Sequence, residues 1–157
     1  MWRALLVLAV LAAVPPTAAF AHSWPGKPQT KPPRLGQAGP PPAWVETRQR
    51  SRWLWFSSYC WRRNGKELCA DMPPVQTRAD VGAMRVQRRQ PIRLHLAFRP
   101  RQAHLTVYRG FAFRHYELTP RQVMTWRVRG SGMAVLDVKA AAGTASYVIR
   151  LRSSGAA

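Results

Sequence analysis

Tyr59-Cys60-Trp61-Arg62-Arg63-Asn64-Gly65-Lys66-Glu67-Leu68-Cys69-Ala70-Asp71 reads as two short strands joined by a tight bend. Asn-Gly is the strongest short hairpin signal, because both central positions of the turn need positive φ. With Asn64 and Gly65 in the turn, Arg63 faces Lys66, Arg62 faces Glu67, Trp61 faces Leu68 and Cys60 faces Cys69. The pair next to a two-residue turn is hydrogen-bonded, and pairs alternate outward from it. Cys60 and Cys69 then form a non-hydrogen-bonded pair with Cα atoms about 4.5 Å apart, within disulfide reach. Arg62 and Glu67 share the face of the disulfide, and Trp61 and Leu68 pack on the other. These are the only two cysteines in the chain. An even count suits one structural disulfide in an oxidising compartment, and no CxxC pair or flanking His cluster points to zinc.

Outward from the hairpin, the texture is that of strands. Ile92, Leu94, Leu96 and Phe98 alternate with Arg93, His95 and Ala97, a period of two with one apolar face. The same holds for Ala103, Leu105 and Val107, for Met124, Trp126 and Val128, and for Ala145, Tyr147, Ile149 and Leu151. It holds less cleanly for Ala134, Leu136 and Val138, where Met133 and Val135 intervene. Arg99-Pro100, Thr119-Pro120, Gly130-Ser131-Gly132 and Ala142-Gly143 mark turns between these runs. About seven short strands at this spacing predict an all-β domain over residues 44–152, an antiparallel β-sandwich. Trp53-Leu54-Trp55-Phe56 is apolar on both strand faces. It predicts either a strand covered on both sides or one that presents an aromatic patch.

Residues 22–43 read differently. Seven prolines and three glycines fall in this stretch, and proline fixes its own φ while pushing its predecessor to extended geometry. An extended, solvated linker of polyproline character is expected. Before it, Arg3 precedes an uncharged apolar run from Ala4 to Val14, then Pro15-Pro16 and small residues to Ala21. That run is about half the roughly 20 residues a membrane span requires. It has the form of a secretion signal over residues 1–21, cut before His22. The expected location is therefore extracellular or in the periplasm and cell envelope. Residues 153–157 read as a disordered tail.

Ser58-Tyr59-Cys60-Trp61, followed by Leu68-Cys69-Ala70-Asp71, Pro73-Pro74 and an Ala145-Ser146-Tyr147 strand, resembles small secreted bacterial proteins of unknown function. These pair a YCW motif with a CxD motif. The resemblance covers roughly residues 52–152 and implies an immunoglobulin-like or related β-sandwich. It implies no reaction.

The formal net charge is +19, carried by 25 basic residues against 6 acidic ones. Loss of residues 1–21 removes only Arg3 and leaves +18. Such an excess attracts anionic polymers and surfaces: acidic wall or capsule polymers, an anionic membrane surface, or extracellular nucleic acid. Twenty-one of the basic residues are Arg, scattered along the chain, which compositional bias towards Arg would also produce. Candidate anion-binding residues are Arg48, Arg50, Arg52, Arg62, Arg63, Arg88 and Arg89, with Trp53 and Trp55 for stacking.

The inventory for catalysis is thin. The six carboxylates are far apart, and no GxSxG elbow or phosphate-cradling glycine loop occurs. A non-catalytic protein without cofactor is expected. One alternative is copper(II) held by the amine and imidazole of a terminal His22, with His95, His104 or His115 as partner. His95 and His104 each fall on the polar face of a strand, where a solvated histidine is the ordinary outcome. Another alternative is a structural or protein–protein interaction module.

Overall fold

Alternation along the chain becomes sidedness in the folded protein. In the computed structural model, which describes residues 23–33 and 39–154, Ile92, Leu94 and Leu96 are buried. So are Ala103, Leu105 and Val107, Met124, Trp126 and Val128, and Ala145, Tyr147, Ile149 and Leu151. The segments around them form β1 (Ala43–Glu46), β2 (Ser51–Trp53), β3 (Trp55–Arg63), β4 (Lys66–Ala70), β5 (Ala83–Gln87) and β6 (Pro91–Leu96). They continue with β7 (Gln102–Arg109), β8 (Ala112–Glu117), β9 (Val123–Arg127), β10 (Gly132–Ala140) and β11 (Gly143–Ser154). The predicted signal segment, His22, Arg34 and residues 155–157 lie outside the described residues.

The strands make two sheets. The smaller has the order β2-β1-β6-β9, and the larger β4-β3-β11-β10-β7-β8, with β5 also alongside β11. All neighbours are antiparallel except β5 and β11. Inner faces of both sheets contribute to one core, in which Val45, Ile92, Leu94 and Met124 of the small sheet meet Phe56, Leu105, Leu136 and Tyr147 of the large one. The expected all-β sandwich is thus observed, with eleven strands where about seven were expected. The surplus comes from short pieces such as β2 and β5, which are too brief for a periodic pattern to register.

The hairpin has the expected register residue for residue: Arg63 with Lys66, Arg62 with Glu67, Trp61 with Leu68 and Cys60 with Cys69. Asn64 and Gly65 take positive φ, 51° and 75°, as a primed turn requires. Cys60 and Cys69 are disulfide-bonded with Cα atoms 4.0 Å apart, the close spacing of a non-hydrogen-bonded pair. Trp61 is buried against Phe98, with ring centroids 4.9 Å apart. Leu68 stays 38% exposed because β4 forms the sheet edge. Arg62 and Glu67 approach to 3.9 Å on the solvated face.

Three expectations are corrected. First, Trp53–Phe56 is not one strand. β2 ends at Trp53 in the small sheet and β3 begins at Trp55 in the large one, so the chain crosses between layers at the buried Leu54. A crossing segment faces protein on changing sides, which explains its unbroken apolar character. Second, the Pro-rich segment is not a free stalk. The Arg93 guanidinium lies 3.9 Å from the Trp24 ring centroid, Lys27 sits over Trp53, and Trp53 Nε1 donates to the Thr30 carbonyl at 2.7 Å. Residues 23–33 thus strap the outer face of the small sheet. Polyproline geometry leaves carbonyls free to accept such bonds. Third, Ser153 and Ser154 belong to β11, where they pair with Val86 and Gln87 of β5, and not to a tail.

The imperfect alternation of β10 also has a cause. Met133, Val135 and Val148 point away from the main core and are covered by Val75 and Val81 of the connection between β4 and β5. Both faces of the large sheet are therefore dry at this point.

Candidate functional site: the basic end of the sandwich

Strand direction decides which connections share an end. β9 finishes at Arg127 opposite the start of β6 at Pro91. β7 finishes at Arg109 where β8 and β10 begin. β1 runs antiparallel to β6, with Ala43 facing Leu96 and Glu46 facing Arg93, so it too heads for that end. The β1–β2, β5–β6, β7–β8 and β9–β10 connections therefore gather at one end of the sandwich. They and their flanks carry Arg48, Arg50, Arg88, Arg89, Arg109, Arg127 and Arg129 against one acidic residue, Glu46, whose carboxylate is buried and bonded to His95.

At its centre is a cleft of about 370 Å³ lined by Arg88, Arg89, Arg127, Val128 and Arg129. Backbone bonds build it. Arg89 N–H donates to the Val128 carbonyl at 2.8 Å and Val128 N–H to the Gln90 carbonyl at 3.0 Å. These bonds lock the β5–β6 turn to the strand end after β9, with Val128 fully buried. Arg89 sits at φ 63°, a left-handed conformation that costs an L-residue about 1–2 kcal/mol. The turn around it is closed by Gln90 N–H to the Gln87 carbonyl at 3.1 Å and by Gln87 N–H to Gln90 Oε1 at 2.7 Å. Arg109 ties in the large sheet: Nη2 donates to the Arg129 carbonyl at 2.6 Å and Nε to the Ser131 carbonyl at 3.1 Å.

The electrostatics follow from composition and topology together. None of the four cleft arginines forms an ion pair among the described residues. Their mutual repulsion is unrelieved by carboxylates of the described residues, and an anion placed there would relieve it. Guanidinium forks present paired N–H donors suited to carboxylate, sulfate or phosphate oxygens.

The candidates read from sequence fall into three groups. Arg88 and Arg89 line the cleft. Arg48 and Arg50 lie exposed at the same end, in a turn where Thr47 Oγ1 accepts from Gln49 and Arg50 N–H. Arg62 and Arg63 are at the opposite end, on the disulfide hairpin. Arg52, Trp53 and Trp55 line a separate groove of about 300 Å³ beneath Thr30 to Pro33. There Arg52 Nη1 donates to the Ala83 carbonyl at 2.7 Å, and Trp53 is buried under the strap, so it is no open stacking platform. Trp55 remains 37% exposed. Sequence reading missed Arg109, Arg127 and Arg129, which look like ordinary solvent-facing positions of their strands.

The histidines are engaged one by one. His95 Nε2–H donates to Glu46 Oε2 at 2.6 Å, and its ring stacks on Trp44 at 4.7 Å. Its side chain is only 15% exposed, so it is not the solvated residue its strand face suggested; the strapped outer face is dry. His104 Nδ1 meets Glu117 at 2.9 Å, and His115 Nδ1 meets Thr106 Oγ1 at 2.8 Å. Among the described residues no group of three or more His, Cys, Asp or Glu could hold a metal ion. Nor is any described helix long and apolar enough to cross a membrane. Comparison of the chain with protein-family models, curated proteins and solved structures finds no match in any of the three.

Proposed function

We propose that this chain is an exported, non-catalytic module that binds anionic polymers or surfaces through the basic end of its sandwich. The single observation that carries the reading is the convergence of Arg88, Arg89, Arg127 and Arg129 on one cleft free of carboxylates. Scatter along the sequence is what compositional bias predicts, whereas a cleft built from two connections about forty residues apart is the arrangement a polyanion requires. The signal-like residues 1–21 and the Cys60–Cys69 bridge support export, since disulfides persist in oxidising compartments.

The test is salt-dependent binding to polyphosphate or a single-stranded oligonucleotide. Each neutralised phosphate contributes about 0.7 to the slope of log affinity against log salt for single strands. A variant with all four cleft arginines changed to alanine should lower that slope by roughly 3. An Arg62→Ala/Arg63→Ala variant at the opposite end should change it far less. Wild-type slope and affinity in the four-arginine variant would overturn the reading.

A further inference from the structure

The β7–β8 hairpin puts an aromatic side chain where none of the described residues covers it. Arg109 pairs with Ala112, so Gly110 and Phe111 form a two-residue turn. Gly110 has φ 61° while Phe111 does not take positive φ, the pattern of a type II′ turn with glycine first. This holds Phe111 at the outermost point of the hairpin, fully exposed at 101%. Phe113, on the same hairpin, is 56% exposed. A solvent-exposed phenyl ring is ordinarily a cost to solubility.

Its surroundings are as specific as its exposure. Arg109, the residue before the turn, donates to the carbonyls of Arg129 and Ser131, which moors the hairpin beside the four-arginine cleft. Arg114 and Arg109 line a small depression below the tip, about 180 Å³, with Phe113 and Tyr116. An apolar tip thus projects beside Arg109, Arg114 and the four-arginine cleft. Two exposed phenyl groups bury roughly 300–500 Å² at most. That is short of the roughly 800 Å² per partner that a standard protein interface needs. It does match what a bilayer asks of a peripheral protein: an apolar group for the acyl boundary and basic groups for anionic head groups.

Resting on the anion-binding reading above, we propose that the surface this end meets is an anionic lipid bilayer, into whose interface Phe111 inserts while the flanking arginines hold phosphate head groups. Basic residues near such a surface are drawn to its anionic head groups, and the phenyl tip distinguishes a bilayer from a soluble polyanion.

The experiment compares Phe111→Ser with wild type in two assays. One is co-sedimentation with phosphatidylcholine vesicles made with and without phosphatidylglycerol. The other is binding to heparin and to a single-stranded oligonucleotide. Wild type should partition onto phosphatidylglycerol vesicles alone. Phe111→Ser should lower that partitioning about tenfold, the factor given by burying roughly half a phenyl side chain, and leave the soluble ligands bound as before. Phe111→Leu should restore most of it. Unchanged vesicle partitioning in Phe111→Ser overturns the proposal, as does an equal loss on the oligonucleotide, which would mean base stacking. Soluble polyanions bound but vesicles ignored sinks the lipid inference alone, whereas no binding to either sinks the underlying reading as well.

Discussion

Arg78 fastens the connection between β4 and β5 to the outer face of the large sheet, and its removal is the most informative test of how that face is kept dry. Its side chain is 9% exposed. Nη1 donates to the Phe56 carbonyl at 2.5 Å, while Nε and Nη2 donate to the two carboxylate oxygens of Asp80 at 3.1 and 2.5 Å. Its own carbonyl accepts from Arg150 Nη2 at 2.7 Å. The bond to a buried carbonyl from a charged donor contributes about 1.5–3 kcal/mol. Asp80 is 53% exposed, so solvent screening holds its pairing to about 1 kcal/mol or less. Arg78→Ala should therefore cost about 3 kcal/mol in urea denaturation and about 10 °C in Tm. Asp80→Asn should cost under about 1 kcal/mol. Hydrogen exchange should quicken first around Val75 and Val81, which cover Met133, Val135 and Val148. The hydrogen bond from Arg78 holds the Asp80 carboxyl below its ordinary range. Its contribution is thus present above that range and fades as pH falls through the lowered value, and Arg78→Ala should flatten this acid limb. Equal costs for Arg78→Ala and Asp80→Asn, or a loss below about 1 kcal/mol for the former, would refute the division made here between buried and screened partners.

Two further outcomes follow from the core and the hairpin. Replacing Cys60 and Cys69 together by serine should cost about 2.5 kcal/mol by calorimetry, the value for closing a loop of this length in the unfolded chain, with the Asn64–Gly65 turn retained. Tyr147 is fully buried and its hydroxyl donates to the Pro41 carbonyl at 2.7 Å, so Tyr147→Phe should cost about 1–2 kcal/mol in urea. Burial pushes the Tyr147 phenol well above its ordinary range. The unfolded chain therefore loses this proton from about pH 10 upward while the folded one keeps it. Stability should fall as pH rises past that point, and the Phe variant should lack this component of the alkaline loss.

Much of the large sheet is legible in the residues themselves. Asn64-Gly65 and the two cysteines give independent constraints on one register, so the pairing could be read to the residue. Period two in β6, β7, β9 and β11 likewise foretells which side chains enter the main core, because most of the intervening positions are polar. Where both faces are dry, as at Met133 and Val135, alternation carries no information about layers. The crossing at Leu54 is hidden for the same reason: Trp53 and Phe56 are buried in different sheets, yet along the chain they form one apolar run. The strap is illegible for another reason. Proline-rich segments have no periodic face, so nothing before folding tells that Trp24 will lie on Arg93. The site was half visible. Arg88 and Arg89 announce themselves as neighbours, but Arg127 and Arg129 join them only through the pairing of β6 with β9, a fact of topology.

The position of β11 has a temporal consequence. One edge of this strand pairs with β10, while β3 and β5 share the other. In chain order β3 and β5 come long before their partner. A polypeptide delivered amino end first must hold the aromatic strand Trp55–Arg63 without its neighbour until Gly143–Ser154 arrives, some eighty residues later. Long-range pairings of this kind are slow to close, and the waiting strand offers a bare backbone edge in the meantime. The bridge between Cys60 and Cys69 needs only its own short hairpin, so it can form early and rigidify the waiting strand from its β4 side before its permanent partner exists.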